Sequence, residues 1–536
     1  MTRRETRRVL RAYAGLDRPA APAGRSRQTA RQARRRVRDH LDGLVAYRRT
    51  WARWLLAMLT RPVLRRMRRG EVGHESLATL RRLADRGPLV FLPAHRSYAD
   101  SLVLAAVLRD AGIARPWRLA GANLAFWPLG PVARRSGTIF IRRDFGPDRS
   151  YHLAVRCYLA DLLARARNLE WYPEAGRSRT GRVRAIRNGM LRLLVAAYVD
   201  SGIDDVHVVP VSIVYDVSPD MEAVVEEDAG AVKQPEGLRA LMRYLRTGRT
   251  LAPRAAFPAF GEPVSLRELS LAATNEWDMT RVLTQRVATG LREATQVTAE
   301  SLLALVLAAH DAEPCDARLS LGAAALAEQV EALLEYAAAR RIPVCRPLRI
   351  ESALDGMVRT GALIRGPAGF AVREGRHRFL AYHRNVVEHW FLPRAAAELI
   401  ATGAVTVHRV GELLAPLHEP WASASDTFER RVEAELAALA DGWERQPFLL
   451  APRLLGPVFM AYHDAAVDPG GESGPRSAEL RDVAIRVLTA GGMLGEQADE
   501  TARARFADEL SALLTRLRAM AALDADRHAG IADVRR

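Results

Sequence analysis

Between residues 71 and 300 short apolar runs alternate with helical patterns, and this alternation is the strongest constraint on the fold. The apolar runs are Leu89-Val90-Phe91-Leu92, Thr138-Ile139-Phe140-Ile141, Leu169-Glu170-Trp171-Tyr172 and the stretch from Val206 to Tyr215. Each is too short for a helix core and rich in β-branched or aromatic residues. Between them lie helical stretches, from Arg149 to Ala166 and from Ile186 to Val199. The pattern predicts an α/β layer fold with a mostly parallel central sheet flanked by helices. Such sheets bind ligands outside the carboxyl ends of their strands. The residues that follow each apolar run are therefore the first places to look for chemistry.

After the first run comes Pro93-Ala94-His95-Arg96-Ser97-Tyr98-Ala99-Asp100, followed by a helical run from Leu102 to Leu108. An imidazole titrates near neutral pH, and a nearby carboxylate fixes its tautomer and raises its basicity. His95 and Asp100 are candidates for a general base and its orienter. On one continuous helix, five residues would separate the two side chains by about 140°, so the chain must turn between them. A second reading competes: Ser97-x-x-Asp100 is also a capping box, in which Asp100 only satisfies helix N-terminal amides. The two readings are compatible, because a capped first turn is a rigid mount for the carboxylate.

The second run delivers Arg142, Arg143 and Asp144, and the third delivers Pro173-Glu174-Ala175-Gly176-Arg177-Ser178-Arg179-Thr180-Gly181-Arg182. Guanidinium forks match phosphate oxygens, hydroxyls donate, and glycine permits close backbone approach, so this composition suits an anion cradle. The competing reading is a basic surface loop. Ser178 is not the nucleophile of a G-x-S-x-G elbow, because Gly181 stands one residue too late.

The formal net charge of +17 would otherwise suggest a basic protein throughout. Residues 1–70 hold 21 arginines against four acidic residues, so the excess sits entirely in this segment and the remainder is balanced. Nearly all the basic residues are arginine, with Lys233 the single lysine, so placement matters more than number. Residues 1–40, with Pro19, Pro22 and Gly24, read as a mobile or loosely helical arm. Beyond Tyr47, the residues Trp51, Trp54, Leu55, Met58 and Leu59 recur at the spacing of one helical face, amid arginines. That pattern fits a helix lying in an anionic membrane interface; equally, the stripe fits packing on the next domain. A basic arm also admits a nucleic-acid-binding protein, but the neutral body and the absence of a recognition-helix or zinc-finger pattern argue against nucleic acid as a partner.

No apolar run approaches a membrane span, and no secretory signal pattern opens the chain. Cys157, Cys315 and Cys345 are scattered, so neither a disulfide framework nor a zinc site is expected, and a reducing compartment fits. His377, His383 and His389 recur every six residues, which walks around a helix instead of converging on a metal. From about residue 301 to 536 Ala/Leu/Glu/Arg helical patterns dominate, with one short strand pair on either side of Gly366-Pro367. The expected organisation is a basic arm and amphipathic helix (1–70), an α/β domain (71–300) and a mainly helical C-terminal domain (301–536).

Four blocks in order resemble the glycerol-3-phosphate acyltransferase family in its bacterial membrane-associated branch. They are His95 to Asp100, an H-x4-D motif; Gly121 to Arg143; Glu174 to Gly181; and Val209 to Asp216. A further match, Leu380-Ala381-Tyr382-His383-Arg384-Asn385, reaches into the helical region. The chain departs from the family at Ala175, where members often carry glycine. Ala94 stands where the lysophosphatidate branch typically has asparagine, which favours glycerol 3-phosphate or dihydroxyacetone phosphate over a lysolipid as acceptor.

The resemblance implies a glycerolipid acyltransferase domain moving a fatty acyl group from acyl-CoA or acyl-carrier protein to the sn-1 hydroxyl of glycerol 3-phosphate. It implies His95 and Asp100 as catalytic, and Arg142, Arg143, Glu174, Gly176, Arg177, Ser178 and Arg179 as the acceptor-phosphate site. Pro210 and Ser212 are assigned to an acyl-donor or structural block. Neither a metal nor another cofactor is implied, and the expected location is peripheral, on the cytoplasmic face of the cell membrane.

Overall fold

The computed structural model describes residues 27–142, 145–216, 221, 225, 255–307, 321–367, 369–403, 405–418, 425–439, 449–467 and 504–520. The chain forms two compact units. The first takes Met1–Arg177, Val183–Pro219 and Gln234–Ala294; the second takes Ser178–Arg182, Asp220–Lys233 and Thr295–Arg536.

The first unit opens with helices α1 (Arg27–Leu44) and α2 (Thr50–Arg66). Its sheet has eight strands among the described residues: β1 (Arg68–Arg69), β2 (Leu89–Pro93), β3 (Trp117–Gly121), β4 (Thr138–Ile141), β5 (Leu169–Glu170), β6 (His207–Tyr215), β7 (Ala255–Phe260) and β8 (Val264–Ser265). Their order is β1-β7-β6-β2-β5-β3-β4, with β8 also on β6. All pairs are parallel except β6 with β7 and with β8. Helices α3 (His74–Arg86), α4 (Asp100–Asp110), α5 (Leu129–Arg135), α6 (Arg149–Ala164), α7 (Asn188–Ser201), α8 (Leu266–Ala272) and α9 (Glu276–Glu293) complete the unit.

Parallel strands covered on both faces read as continuous apolar runs, and β2 is buried at all five positions. Its alternate residues serve opposite layers, as a strand's two-residue period requires. Val90 and Leu92 pack with Leu119, Ile139 and Leu169 beneath α6 and α7, while Leu89 and Phe91 pack with Val103 and Leu104 of α4. The same first layer takes in Val37, Leu41 and Leu44 of α1. The part of the arm from Arg27 is thus a packed helix of the α/β unit and not a loose extension; residues 1–26 lie outside the described residues.

The sequence signal for β3 was weak because Arg118, Ala120 and Gly121 dilute it; the neighbours β5 and β4 supply the pairing that its composition does not. Pro210 sits inside the central strand β6 at no cost to its ladder. The antiparallel partner changes there, β8 pairing at Val208 and β7 from Val211, so the missing N–H falls at the break.

The second unit is helical: α10 (Ala299–Leu307), α11 (Ala323–Ala339), α12 (Ile350–Arg359), α13 (His377–Ala401), α14 (Val407–His418), α15 (Ser425–Leu439) and α16 (Ala451–Val467), with a further helix over 504–520. One hairpin, β9 (Leu363–Gly366) with β10 (Gly369–Val372), matches the strand pair read from the sequence. His377, His383 and His389 all lie on α13. His383 is buried there, and burial pushes its pKa down to about 4, so it is a neutral core residue. Among the described residues no cluster of His, Cys, Asp or Glu could hold a metal. Cys157 and Cys345 are buried free thiols, and Cys315 lies outside the described residues.

Buried Asn168, immediately before β5, ties the start of the central sheet together. Its side chain accepts from Leu89 N at 2.9 Å and donates to Ala114 O at 2.8 Å. Asn168→Ala leaves the buried N–H of Leu89 unpaired. It is expected to lower unfolding stability by about 1–3 kcal/mol. Urea unfolding checks this, and a loss under a few tenths of a kcal/mol would show that Asn168 does not brace β2.

Candidate active site

Sheet order explains which residues meet. β2 lies between β6 and β5, so the corner after β2 is flanked by the end of β6 on one side and the loop after β5 on the other. Ala94 N continues the ladder by donating to Val211 O at 2.8 Å, and the chain then turns into α4. His95 Nδ1 lies 3.2 Å from Asp100 Oδ2. The same oxygen accepts from the backbone N–H groups of Arg96 and Ser97, both at 2.9 Å, and Oδ1 accepts from the Tyr215 hydroxyl at 2.7 Å. Asp100 is fully buried, yet every polar contact it needs is present. Because the carboxylate only accepts, Nδ1 is the protonated ring nitrogen and Nε2 carries the lone pair.

Asp100 thus makes both an amide contact of the cap reading and the histidine contact, while α4 itself starts at Asp100 with Ala99 as its cap residue. Its acceptance of the Ser97 amide is half of a capping box, while Ser97 Oγ accepts from Ala99 N at 3.1 Å. The cap and the histidine pair share an oxygen.

Tyr172 stacks on the imidazole, the ring centroids 3.9 Å apart and inclined by 23°. The Tyr172 hydroxyl lies 2.6 Å from Ser101 Oγ, which donates to Glu170 Oε1 at 2.5 Å; Arg118 Nε donates to the same Glu170 oxygen at 3.2 Å. Burial, with Asp100 and Glu170 nearby, pushes the Tyr172 phenol well above its usual range and keeps it protonated. Arg96 is buried too, and its Nη1 donates to Ser212 Oγ at 2.9 Å. Tyr172, Tyr215 and Arg96 did not stand out as site residues in the sequence. Their signal was strand order: each sits on, or is bonded to, a strand beside β2.

Glu174 joins the corner to the next loop. Oε1 accepts from His95 N and Oε2 from Arg184 N, each at 2.8 Å. Burial pushes its pKa up from 4.5 to about 7, partly offset by those two N–H donors and by Arg96. In the folded state the carboxyl therefore holds its proton up to a higher pH than in the unfolded chain. Its contribution to stability falls as pH rises between those two values. As a carboxylate Glu174 can accept from both amides; once protonated, it presents an O–H to one of them.

Ala175 has φ +54°, the left-handed region where glycine is at ease. That is a physical reason for glycine at this position in related chains. The Arg177 guanidinium lies over the Tyr98 ring at 4.3 Å, and Tyr98 is edge-on to His95 with centroids 6.5 Å apart. Gly176 packs beside Arg184, with a Cβ on Gly176 falling 2.8 Å from Arg184 Nη1.

The sheet order places two further candidates, Arg142 and Pro210. Arg142, at the end of edge strand β4, is three strands from β2, roughly 14 Å at about 4.8 Å per strand. It is not beside His95: its Nη1 donates to Asp148 Oδ2 at 3.2 Å and its guanidinium lies over Tyr151 at 4.4 Å. Pro210 serves structure, since Gly290 of α9 packs so closely that a Cβ there would meet its ring at 2.6 Å, and its carbonyl accepts from Gly261 N at 2.9 Å. Arg143 lies outside the described residues. Ser178 and Arg179 belong to the second unit, where Ser178 Oγ accepts from Gly181 N at 3.0 Å.

Comparison with known proteins bears on the family. Residues 73–214 match the Acyltransferase family model, and residues 225–443 match the model of the glycerol-3-phosphate acyltransferase C-terminal region. A putative acyltransferase, plsB1, of Mycobacterium bovis is 31% identical over 437 residues, covering 74% of this chain and 69% of that protein. The glycerol-3-phosphate acyltransferase of Histophilus somni is 30% identical over 345 residues, covering 60% of this chain and 42% of its own length. The crystal structure of the 1-acyl-sn-glycerophosphate acyltransferase PlsC from Thermotoga maritima aligns at 18% identity over 54% of this chain and 92% of that one. The TM-score is 0.27, a likeness too slight to carry a structural conclusion. On its sequence relatives and on both family models, the chain belongs to the glycerol-3-phosphate acyltransferase family.

Proposed function

We propose that the protein transfers a fatty acyl group from a thioester, acyl-CoA or acyl-carrier protein, to the sn-1 hydroxyl of glycerol 3-phosphate, giving lysophosphatidate. The observation that carries this reading is the buried carboxylate of Asp100 on His95 Nδ1, which reserves the basic Nε2 for a substrate hydroxyl. His95 takes the hydroxyl proton as the oxygen attacks the thioester carbonyl; the new C–O bond forms, the C–S bond breaks, and the proton passes to the departing sulfur. The imidazolium formed on the way is stabilised by Asp100 and by the face of Tyr172. Positioning supplies much of the remaining acceleration. In this reading Arg177 holds the acceptor phosphate, with Ser178 and Arg179 following it in the chain, and Glu174 braces the loop. The scheme requires neither a metal nor a covalent acyl-enzyme. Dihydroxyacetone phosphate is the alternative acceptor, differing only at C2.

The same reading includes an anionic membrane surface as partner. Among the described residues no helix is long and apolar enough to cross a membrane. On α2, however, Trp51, Trp54, Met58 and Leu59 are 53%, 66%, 46% and 49% exposed, and Trp127, just before α5, is 79% exposed. The chain entering α2 is fixed to α5 by Tyr47 N and Arg49 N, which donate to the carbonyls of Arg134 and Arg135 at 2.9 and 2.8 Å. An exposed tryptophan stripe on a helix with arginines around it suits peripheral insertion at a lipid interface. This supports peripheral binding at a lipid surface, and the reading places that surface on the cytoplasmic face of the cell membrane.

Two outcomes follow. In an assay with glycerol 3-phosphate, dihydroxyacetone phosphate and several acyl-CoAs, His95→Ala is expected to lower kcat by about 10²- to 10⁴-fold while the circular dichroism spectrum is unchanged. Turnover at the wild-type rate would remove His95 as the base. The double variant Trp51→Ala/Trp54→Ala is expected to bind anionic liposomes at least about tenfold more weakly, since each ring buries apolar area worth more than 1 kcal/mol. Unchanged flotation with the liposomes would exclude α2 as the docking surface.

A further inference from the structure

The loop after β5 is divided between the two units: Arg177 and Val183 belong to the first, and the five residues between them, Ser178–Arg182, to the second. Within the second unit these five residues are bound to one helix, α13. Buried Arg182 makes a two-pronged ion pair with Glu388, Nε donating to Oε1 and Nη2 to Oε2 at 2.7 Å. Asn385 Nδ2 donates to Thr180 O at 3.1 Å, and Asn385 Oδ1 accepts from Arg182 Nη2 at 3.4 Å. Gly181 has φ +91° and lies so close to α13 that a Cβ would fall 2.2 Å from Tyr382 O. Tyr382, Asn385 and Glu388 are spaced three apart, so they follow one another along the helix surface. The turn is also tied internally, by Ser178 Oγ and Gly181 N.

We propose that Asn385 and Glu388 of α13 are positioning residues for acceptor binding: they clamp the Ser178–Arg182 segment and thereby set the conformation of the anion loop that begins at Glu174. A five-residue segment with one side chain to core, one glycine pressed on a carbonyl and a paired buried guanidinium has little freedom. Residues at its mouth, Arg177 and Arg179, inherit that order through the backbone. A bidentate guanidinium–carboxylate pair is geometrically specific, and removing one partner leaves the other charge buried without compensation. The arrangement gives the helical unit a function in the reaction, namely to hold the loop that selects a phosphate-bearing acceptor. The proposal rests on the reading that this loop binds the acceptor phosphate.

The test uses the full chain and two variants, Glu388→Ala and Asn385→Ala, the second leaving the Arg182–Glu388 ion pair in place and so expected to fold if the first does not. Amide hydrogen exchange of residues 176–182 is measured beside peptides covering β2, and the KM for glycerol 3-phosphate and for acyl-CoA is measured beside kcat. Expected are at least tenfold faster exchange in 176–182 with β2 unchanged, and an acceptor KM raised at least tenfold in Glu388→Ala and severalfold in Asn385→Ala. The acyl-CoA KM and kcat at saturating acceptor should stay within about threefold, and Glu388→Asp should recover part of the loss. Unchanged exchange in 176–182 overturns the clamp. Faster exchange with an unchanged acceptor KM overturns the link to acceptor binding. If the wild-type protein acylates neither acceptor, the proposed function fails instead, and the exchange data still decide whether the clamp exists.

Discussion

The site depends on one buried carboxylate with four partners. Asp100 takes two backbone amides, a tyrosine hydroxyl and the imidazole of His95, and is fully shielded from water. Burying a charge in this way is costly unless its hydrogen bonds are complete. Here the amides of Arg96 and Ser97 come from the turn itself, and Tyr215 comes from the neighbouring strand. The corner after β2 therefore cannot relax without unpairing a buried charge, and the imidazole is mounted on that corner.

The rest of the first unit is arranged around that corner. β6 and β5 flank β2, so the Tyr215 and Ser212 side chains approach from one side and Glu174 from the other. Glu174 fastens His95 to the following loop by accepting from both His95 N and Arg184 N. With its pKa raised to about 7 by burial, this strap is a full acceptor pair only once the carboxyl ionises. Tyr172 sits under the ring, anchored through Ser101 to the buried Glu170–Arg118 pair. Orientation of the His95 ring thus draws on three strands and two loops.

Much of this was legible in the sequence, because parallel strands announce themselves as apolar runs and chemistry gathers at their ends. The runs at 89, 138, 169 and 206 are strands, and His95 and Asp100 lie within hydrogen-bond distance at the first strand end. What the runs do not encode is strand order. Read in chain order, Arg142 stands at a strand end like that of His95; in the sheet, β5 and β3 separate them, and its guanidinium turns to Asp148 and Tyr151. Order also hid Tyr172 and Tyr215, whose roles come from adjacency across the sheet and not along the chain. Long-range packing decided the arm as well: Val37, Leu41 and Leu44 look sparse among arginines, yet they fall on one face of α1 and enter the core.

The central claim is that Asp100 acts through His95 and is more than a helix cap. It is tested most directly by Asp100→Asn, measuring kcat, the acceptor KM and the thermal midpoint on the same sample. Expected is a kcat lower by about 10²- to 10⁴-fold with the acceptor KM little changed, in a protein still folded at the assay temperature. A variant that loses only the roughly 1 kcal/mol expected of a helix cap, and keeps kcat within a few-fold of wild type, would contradict it.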